Sequence, residues 1–144
     1  MIPPPPYLKG IPPELHGRGE SVLHLDDEPS VTASVQRLLL KLGYKVASFN
    51  APHLATDHFR AAPHTFDLVI TDLMMPGMTG LEFATEVRTL RPLLPIILLS
   101  ALADSQPPWT LQAHGIHSVL MKPAGIESIA TAVRRAIDSS LTPS

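Results

Sequence analysis

Five times between Ser21 and Ser140 a short, mostly apolar run gives way to a segment whose apolar positions repeat at helical spacing. The runs are SVLHLD (21–26), YKVASF (44–49), DLVIT (67–71, ending against Asp72), PIILLS (95–100) and HSVLMK (117–122). PIILLS is apolar almost throughout, as a strand covered on both faces must be. Between the runs, Val31, Val35, Leu38, Leu39 and Leu42 fall on one helical face before the stop at Gly43. Residues 51–62 form a second helical segment with Pro52 in its first turn, where a missing N–H is harmless. A third, from about Gly80 to Leu90, turns Phe83, Ala84 and Val87 inward. The last repeats Ile126, Ile129, Ala130, Val133 and Ile137. A helix between PIILLS and HSVLMK is expected to be short and to begin at or just after Pro107 and Pro108. Strict alternation of strand and helix predicts an α/β fold: a parallel sheet with helices on both faces and right-handed crossovers. Five such units favour a flavodoxin-like (βα)5 three-layer sandwich with strand order 2-1-3-4-5.

The 144 residues fit one domain with a substantial core. Hydrophobic residues at 44% and charged ones at 17% belong to a globular chain rather than a disordered one. A net charge of -2 without a Lys/Arg run gives no pull toward nucleic acid. No Cys is present, so neither a disulfide nor a thiolate site is available. Neither a signal-peptide pattern nor an apolar run near 18 residues occurs, which predicts a cytoplasmic protein that does not enter a membrane. Residues 1–20 read as an N-terminal arm, 21–140 as the folded domain and 141–144 as a tail. The arm holds six of the 16 prolines, a composition that disfavours regular helix or central strand and favours polyproline II. Its apolar residues Ile2, Tyr7, Leu8, Ile11 and Leu15 give it something to bury, on its own domain or across a second copy, so a homodimer through the arm is an expectation.

In open α/β sheets ligands bind outside the carboxyl ends of the strands, so the polar residues that end each run matter most. The first run ends at Asp26, Asp27 and Glu28, the third at Asp72, the fourth at Ser100 and the fifth at Lys122 before Pro123. The expected strand order brings Asp26, Asp27 and Asp72 together at the switch point, where three carboxylates repel one another unless a cation sits among them. An all-oxygen site without His or Cys suits Mg²⁺ before Zn²⁺. Lys122 can pair with a carboxylate or with an anion attached to one, and Ser100 offers a hydroxyl donor. These parts suit phosphoryl transfer, with Asp72 as the nucleophile. Taken singly, each residue has a duller reading: Asp27 or Ser30 as a helix cap, Asp72 as a turn residue, Lys122 as a solvated charge. Their convergence on one edge is what independent dull readings do not predict.

On these residues the segment from about Ser21 to Ser140 resembles the receiver domain of two-component response regulators. The motifs that carry the resemblance are LDDE (25–28), TDLMMPGMTG (71–80), LLSA (98–101) and KP (122–123). The resemblance implies that Asp72 accepts a phosphoryl group from the phosphohistidine of a sensor histidine kinase or phosphotransfer protein. It implies that Asp27, Asp72 and the backbone carbonyl of Met74 bind Mg²⁺, with Asp26 acting through a bound water, and that Ser100 and Lys122 contact the phosphoryl group. A cis bond is expected at Pro123. Val119 stands where the family often has Tyr or Phe, and Met74 and Leu102 flank the path of an attacking water with apolar groups. With no DNA-binding or enzymatic output domain in the sequence, signalling by conformational shift and protein contact is the expectation.

Three other readings remain. A pseudo-receiver would fold in the same way yet act as a phosphorylation-independent interaction or dimerisation module. A dehalogenase-like hydrolase also uses a strand-end Asp with Mg²⁺, but needs a second Asp where this chain has Met74. A nucleotide-binding protein needs a Gly-rich loop after the first strand, which is absent.

Overall fold

The computed structural model describes residues 10–101 and 114–141. Its five strands are β1 (Ser21–Leu25), β2 (Lys45–Phe49), β3 (Leu68–Asp72), β4 (Ile96–Ser100) and β5 (Ile116–Met121). They form a single parallel sheet in the order β2-β1-β3-β4-β5. Four helices accompany them: α1 (Pro29–Leu42), α2 (Pro52–Ala61), α3 (Gly80–Leu90) and α4 (Ile126–Leu141). The fold is the expected flavodoxin-like one. The segment carrying Leu102, Pro107, Pro108 and Trp109, and with it the helix expected between β4 and β5, lies outside the described residues.

Alternation along the strands sorts the core into two layers. Val22, Leu68, Ile70, Ile97 and Leu99 pack under Val35, Leu39 and Leu42 of α1 and Ile129, Val133 and Ile137 of α4. Leu23, Leu25, Val69, Ile96 and Leu98 pack under Ala55 and Phe59 of α2 and Phe83, Ala84 and Val87 of α3. β3 and β4 are buried at every position, which is why they read as unbroken apolar runs. Val31, Leu38 and Ile126, expected on inward faces, are only partly buried at the margin of their layer.

Each helix boundary has a local cause. Pro29 opens α1 and Pro52 opens α2 at positions whose N–H has no helical partner. Thr79 caps α3 in a reciprocal capping box with Glu82. Gly43 ends α1 in the left-handed region, φ 103°, and a side chain there would also strike the Gly17 carbonyl. Neither Asp27 nor Ser30 caps α1: Glu28 occupies the cap position and makes no side-chain cap bond.

From Gly10 onward the N-terminal segment is part of the domain. It contains a 3-10 turn, Pro13–Leu15, where the sequence favoured polyproline II, because Leu15 N–H donates to Pro12 O and His16 N–H to Pro13 O. Ile11 is buried in the α1/α4 layer and Leu15 packs beside it. Gly17 N–H donates to Leu42 O at 2.6 Å, Gly19 N–H to Gly43 O at 2.9 Å, and Lys45 N–H to Glu20 O at 2.8 Å. Arg134, on the inward face of α4 and 2% exposed, locks this strap: it pairs with Glu20 at 2.7 Å and Asp138 at 2.8 Å and donates to His16 O at 3.3 Å. Burial works against the guanidinium charge, but these two carboxylates outweigh it and raise the Arg134 pKa above its ordinary value. The strap sits at the end of the sheet where β1 and β2 begin. Residues 1–9, with Ile2, Tyr7 and Leu8, lie outside the described residues.

Candidate functional site

The opposite end of the sheet gathers the expected polar residues. Asp26 follows β1 directly and is fully buried, Asp27 beside it is half-buried, and Asp72 is the last residue of β3, 5% exposed. One carboxylate oxygen from each of the three lies within 4.8 Å of the other two. Lys122, one residue past β5, reaches Asp26 Oδ2 at 2.7 Å and Asp72 Oδ1 at 3.3 Å. Its backbone N–H donates to Ser100 O at 3.0 Å, so the ends of β4 and β5 are fastened together at the same edge. Ser100 is the last residue of β4 and buried. The Lys122–Pro123 bond is cis, as expected. Met74 stands two residues beyond Asp72 and is 57% exposed.

Electrostatics follow from burial and crowding. The Asp72 pKa is pushed up from 3.8 to about 6, first by burial and then by the charge of Asp26, with Lys122 opposing. Burial disfavours the Lys122 ammonium, but the Asp26 and Asp72 carboxylates more than offset this and raise its pKa. Among the described residues Lys122 pairs with two of the three acids, Asp26 and Asp72, and the acids of this edge outnumber it.

The loop after Asp72 is shaped by contact with its backbone. Gly80 N–H donates to Leu73 O at 2.8 Å, and a Cβ on Gly80 would lie 2.1 Å from the Asp72 carbonyl oxygen. Only glycine lets the first turn of α3 close on the end of β3. Gly77, with φ 83°, makes the turn that returns the chain. Val119 packs, partly buried, against the layer containing Leu23 and Leu98, filling inward space without an aromatic ring.

Three polar residues that the strand-end reasoning passed over are placed by the structure. His24 is fully buried on β1 with neither ring nitrogen hydrogen-bonded, and burial, assisted by the Lys122 charge, lowers its pKa to about 4. Its signal was a single polar residue inside an apolar run. Arg134 was legible from spacing, since it falls on the face defined by Ala130, Val133 and Ile137. Asn50, just past β2, donates to the Asp26 carbonyl at 2.9 Å. It ends the one strand whose polar terminus went unread.

The fold and this edge define an open α/β protein with an acid cluster at its topological switch point. Residues 22–134 match the family described as the response regulator receiver domain. The chain belongs to that family. It is 34% identical over 113 residues to the two-component response regulator ORR24 of Oryza sativa subsp. indica, an alignment covering 78% of this chain and 18% of that protein. The chain thus spans about a fifth of the length of the curated relatives it matches. Among solved structures it is similar to the chemotaxis protein CheY4 of Vibrio cholerae, with TM-score 0.74 and 29% identity, covering 83% of this chain and 99% of that one. It is also similar to the response regulator TrrA of Thermotoga maritima, in complex with Mg²⁺ and BeF, with TM-score 0.73 and 27% identity, covering 81% and 98%. As a receiver domain it is a signalling domain rather than a metabolic enzyme. No described helix is long and apolar enough to cross a membrane.

Proposed function

We propose that the chain is a phosphoacceptor: in a Mg²⁺-dependent reaction Asp72 takes a phosphoryl group from the phosphohistidine of a sensor histidine kinase or phosphotransfer protein, and the domain then signals by conformational shift and protein contact. The observation that carries this reading is the convergence of Asp26, Asp27 and Asp72 within 4.8 Å, with Lys122 bridging two of them. The donor set fits Mg²⁺: it is all carboxylate oxygen and lacks the His and Cys ligands that Zn²⁺ favours. Asp27, Asp72 and the Met74 carbonyl would hold the ion, with Asp26 acting through a bound water. When bound, Mg²⁺ supplies the neutralising charge that a transferring phosphoryl group needs.

The protein groups account for the rest. An Asp72 carboxylate oxygen attacks phosphorus as the P–N bond to the donor imidazole breaks, and the imidazole leaves with the electron pair and takes a proton from solvent. Lys122 pairs with the new phosphoryl oxygens, and the Ser100 hydroxyl donates to another. Because Ser100 ends β4 and Lys122 follows the end of β5, their movement toward Asp72 shifts this edge of the sheet and with it the population of conformers. With the apolar Met74 two residues past Asp72, loss of the phosphoryl group is expected to be slow.

The reading places the protein in the cytoplasm with its kinase. It also narrows the homodimer, since Ile11 and Leu15 pack within their own domain. A second copy is left with Ile2, Tyr7 and Leu8 of the arm, and solution mass after removal of residues 1–9 checks that contact.

Intact-mass analysis with acetyl phosphate and Mg²⁺ tests the acceptor. The expected result is a gain of one phosphoryl group in the wild type and none in Asp72→Asn. No gain in either chain overturns the reading in favour of a pseudo-receiver.

A further inference from the structure

The end of β2 touches the acid cluster through a single side chain. The Asn50 carboxamide nitrogen donates to the Asp26 carbonyl at 2.9 Å and to Thr32 Oγ1 at 2.9 Å. Thr32 Oγ1 donates in turn to the Pro29 carbonyl at 3.1 Å. Asp26 N–H donates to the Phe49 carbonyl at 3.1 Å, and Glu28 N–H to Asp26 Oδ1 at 2.9 Å. The segment from Asp26 to Pro29 is therefore held from the β2 side and from the first turn of α1, and Asn50 is the residue that bonds to both.

The chemistry of this clamp is specific. A carboxamide nitrogen carries two N–H donors, one for each acceptor, whereas a carboxylate carries none and a hydroxyl one. The Asp26 carbonyl belongs to the planar peptide unit joining Asp26 to Asp27. Fixing that oxygen fixes the plane from which both carboxylates depart. Asn50 itself is exposed, so its removal opens no cavity in the core.

We propose that Asn50 is a positioning residue for the acid cluster: by anchoring the Asp26–Asp27 peptide unit to α1 it sets the directions of those two carboxylates and thereby the affinity for Mg²⁺. The inference rests on the proposed function, in which Asp27, Asp72 and the Met74 carbonyl hold the ion and Asp26 acts through a bound water. Ser48 provides the control. Its hydroxyl joins the same strand to α1, donating to Gln36 at 3.2 Å, without contact to the acid loop.

Calorimetric titration with MgCl₂ alone compares wild type, Asn50→Ala, Thr32→Val and Ser48→Ala, each first shown to be folded by a thermal melt in EDTA. Asn50→Ala is expected to weaken Mg²⁺ binding roughly tenfold, as loss of a bond that orients a metal ligand does. Thr32→Val, which removes one of the two acceptors, weakens it by less, and Ser48→Ala leaves it within twofold. The Mg²⁺ concentration giving half-maximal phosphorylation by acetyl phosphate moves by the same factors. A Kd within twofold of wild type for Asn50→Ala, or an equal loss in Ser48→Ala, overturns the proposal. If Asn50→Ala does not fold, an unchanged Kd in Thr32→Val overturns it instead. A wild-type chain that binds no Mg²⁺ overturns the underlying reading of the site as well, which separates the two failures.

Discussion

Replacing Asp72 with Asn relieves a burden that the folded chain carries. In the folded chain the Asp72 pKa stands at about 6 against 3.8 for an unhindered Asp. A raised carboxylate pKa means that the native state prefers the protonated form. Stability is therefore fully present below pH 3.8 and lost as pH rises through 6. The displacement from 3.8 to about 6 corresponds to about 3 kcal/mol at pH 7.5, at about 1.36 kcal/mol for each tenfold change in proton affinity. Asn keeps the shape and stays neutral, while Lys122 retains Asp26 at 2.7 Å. In EDTA at pH 7.5 the Asp72→Asn chain should thus unfold at higher urea than wild type, with a gain of about 3 kcal/mol, or roughly 8 °C in Tm for a domain of this size. About half of that difference should remain at pH 5, and almost none below pH 4. Urea and thermal melts followed by circular dichroism at these pH values measure it. An Asp72→Asn chain no more stable than wild type at pH 7.5 in EDTA would refute the claim that burial and Asp26 strain this carboxylate.

His24 carries the opposite dependence. Its lowered pKa makes stability present above pH 6.5 and lost as pH falls through about 4, so His24→Leu should gain about 2 kcal/mol over wild type between pH 8 and pH 5; an unchanged difference in urea melts removes His24 from acid sensitivity. Gly80→Ala should cost at least about 2 kcal/mol, because the added methyl meets a backbone carbonyl that cannot turn aside, and it should slow acetyl-phosphate labelling of Asp72; a neutral melt shows that the α3 turn is free to shift. Arg134→Met should cost about 3 kcal/mol by leaving Glu20 without its cation, and should raise protease cleavage between Gly10 and Glu20; equal cleavage rates would show that the guanidinium does not lock the strap.

Much of the architecture was legible because the sheet is parallel. A strand buried on both faces has no polar alternation to obscure it, so β3 and β4 announce themselves as DLVIT and PIILLS. Strand ends then become informative, because the first polar residue after such a run has emerged at the edge where ligands bind. That logic located Asp26, Asp27, Asp72, Ser100 and Lys122 in one place. The strap was illegible for a physical reason: its attachments at Gly17 and Gly19 use backbone N–H groups, which carry no mark of residue type. The composition of residues 1–20 described the chain's local preference and left open whether Ile11 is buried on its own domain or on a second copy, since one apolar residue has no period. Asn50 escaped because its partner is a carbonyl, and a carboxamide beyond a strand carries no charge to attract attention.

The strap also decides where anything joined upstream of Gly10 is mounted. Since the strap is fastened where β1 and β2 begin, a chain of nine residues before it starts from the end of the sheet opposite Asp72 and spans at most about 30 Å fully stretched. A neighbour attached there is tethered at the end of the sheet opposite Asp26, Asp27 and Asp72, and its approach to that edge is set by the length of the tether.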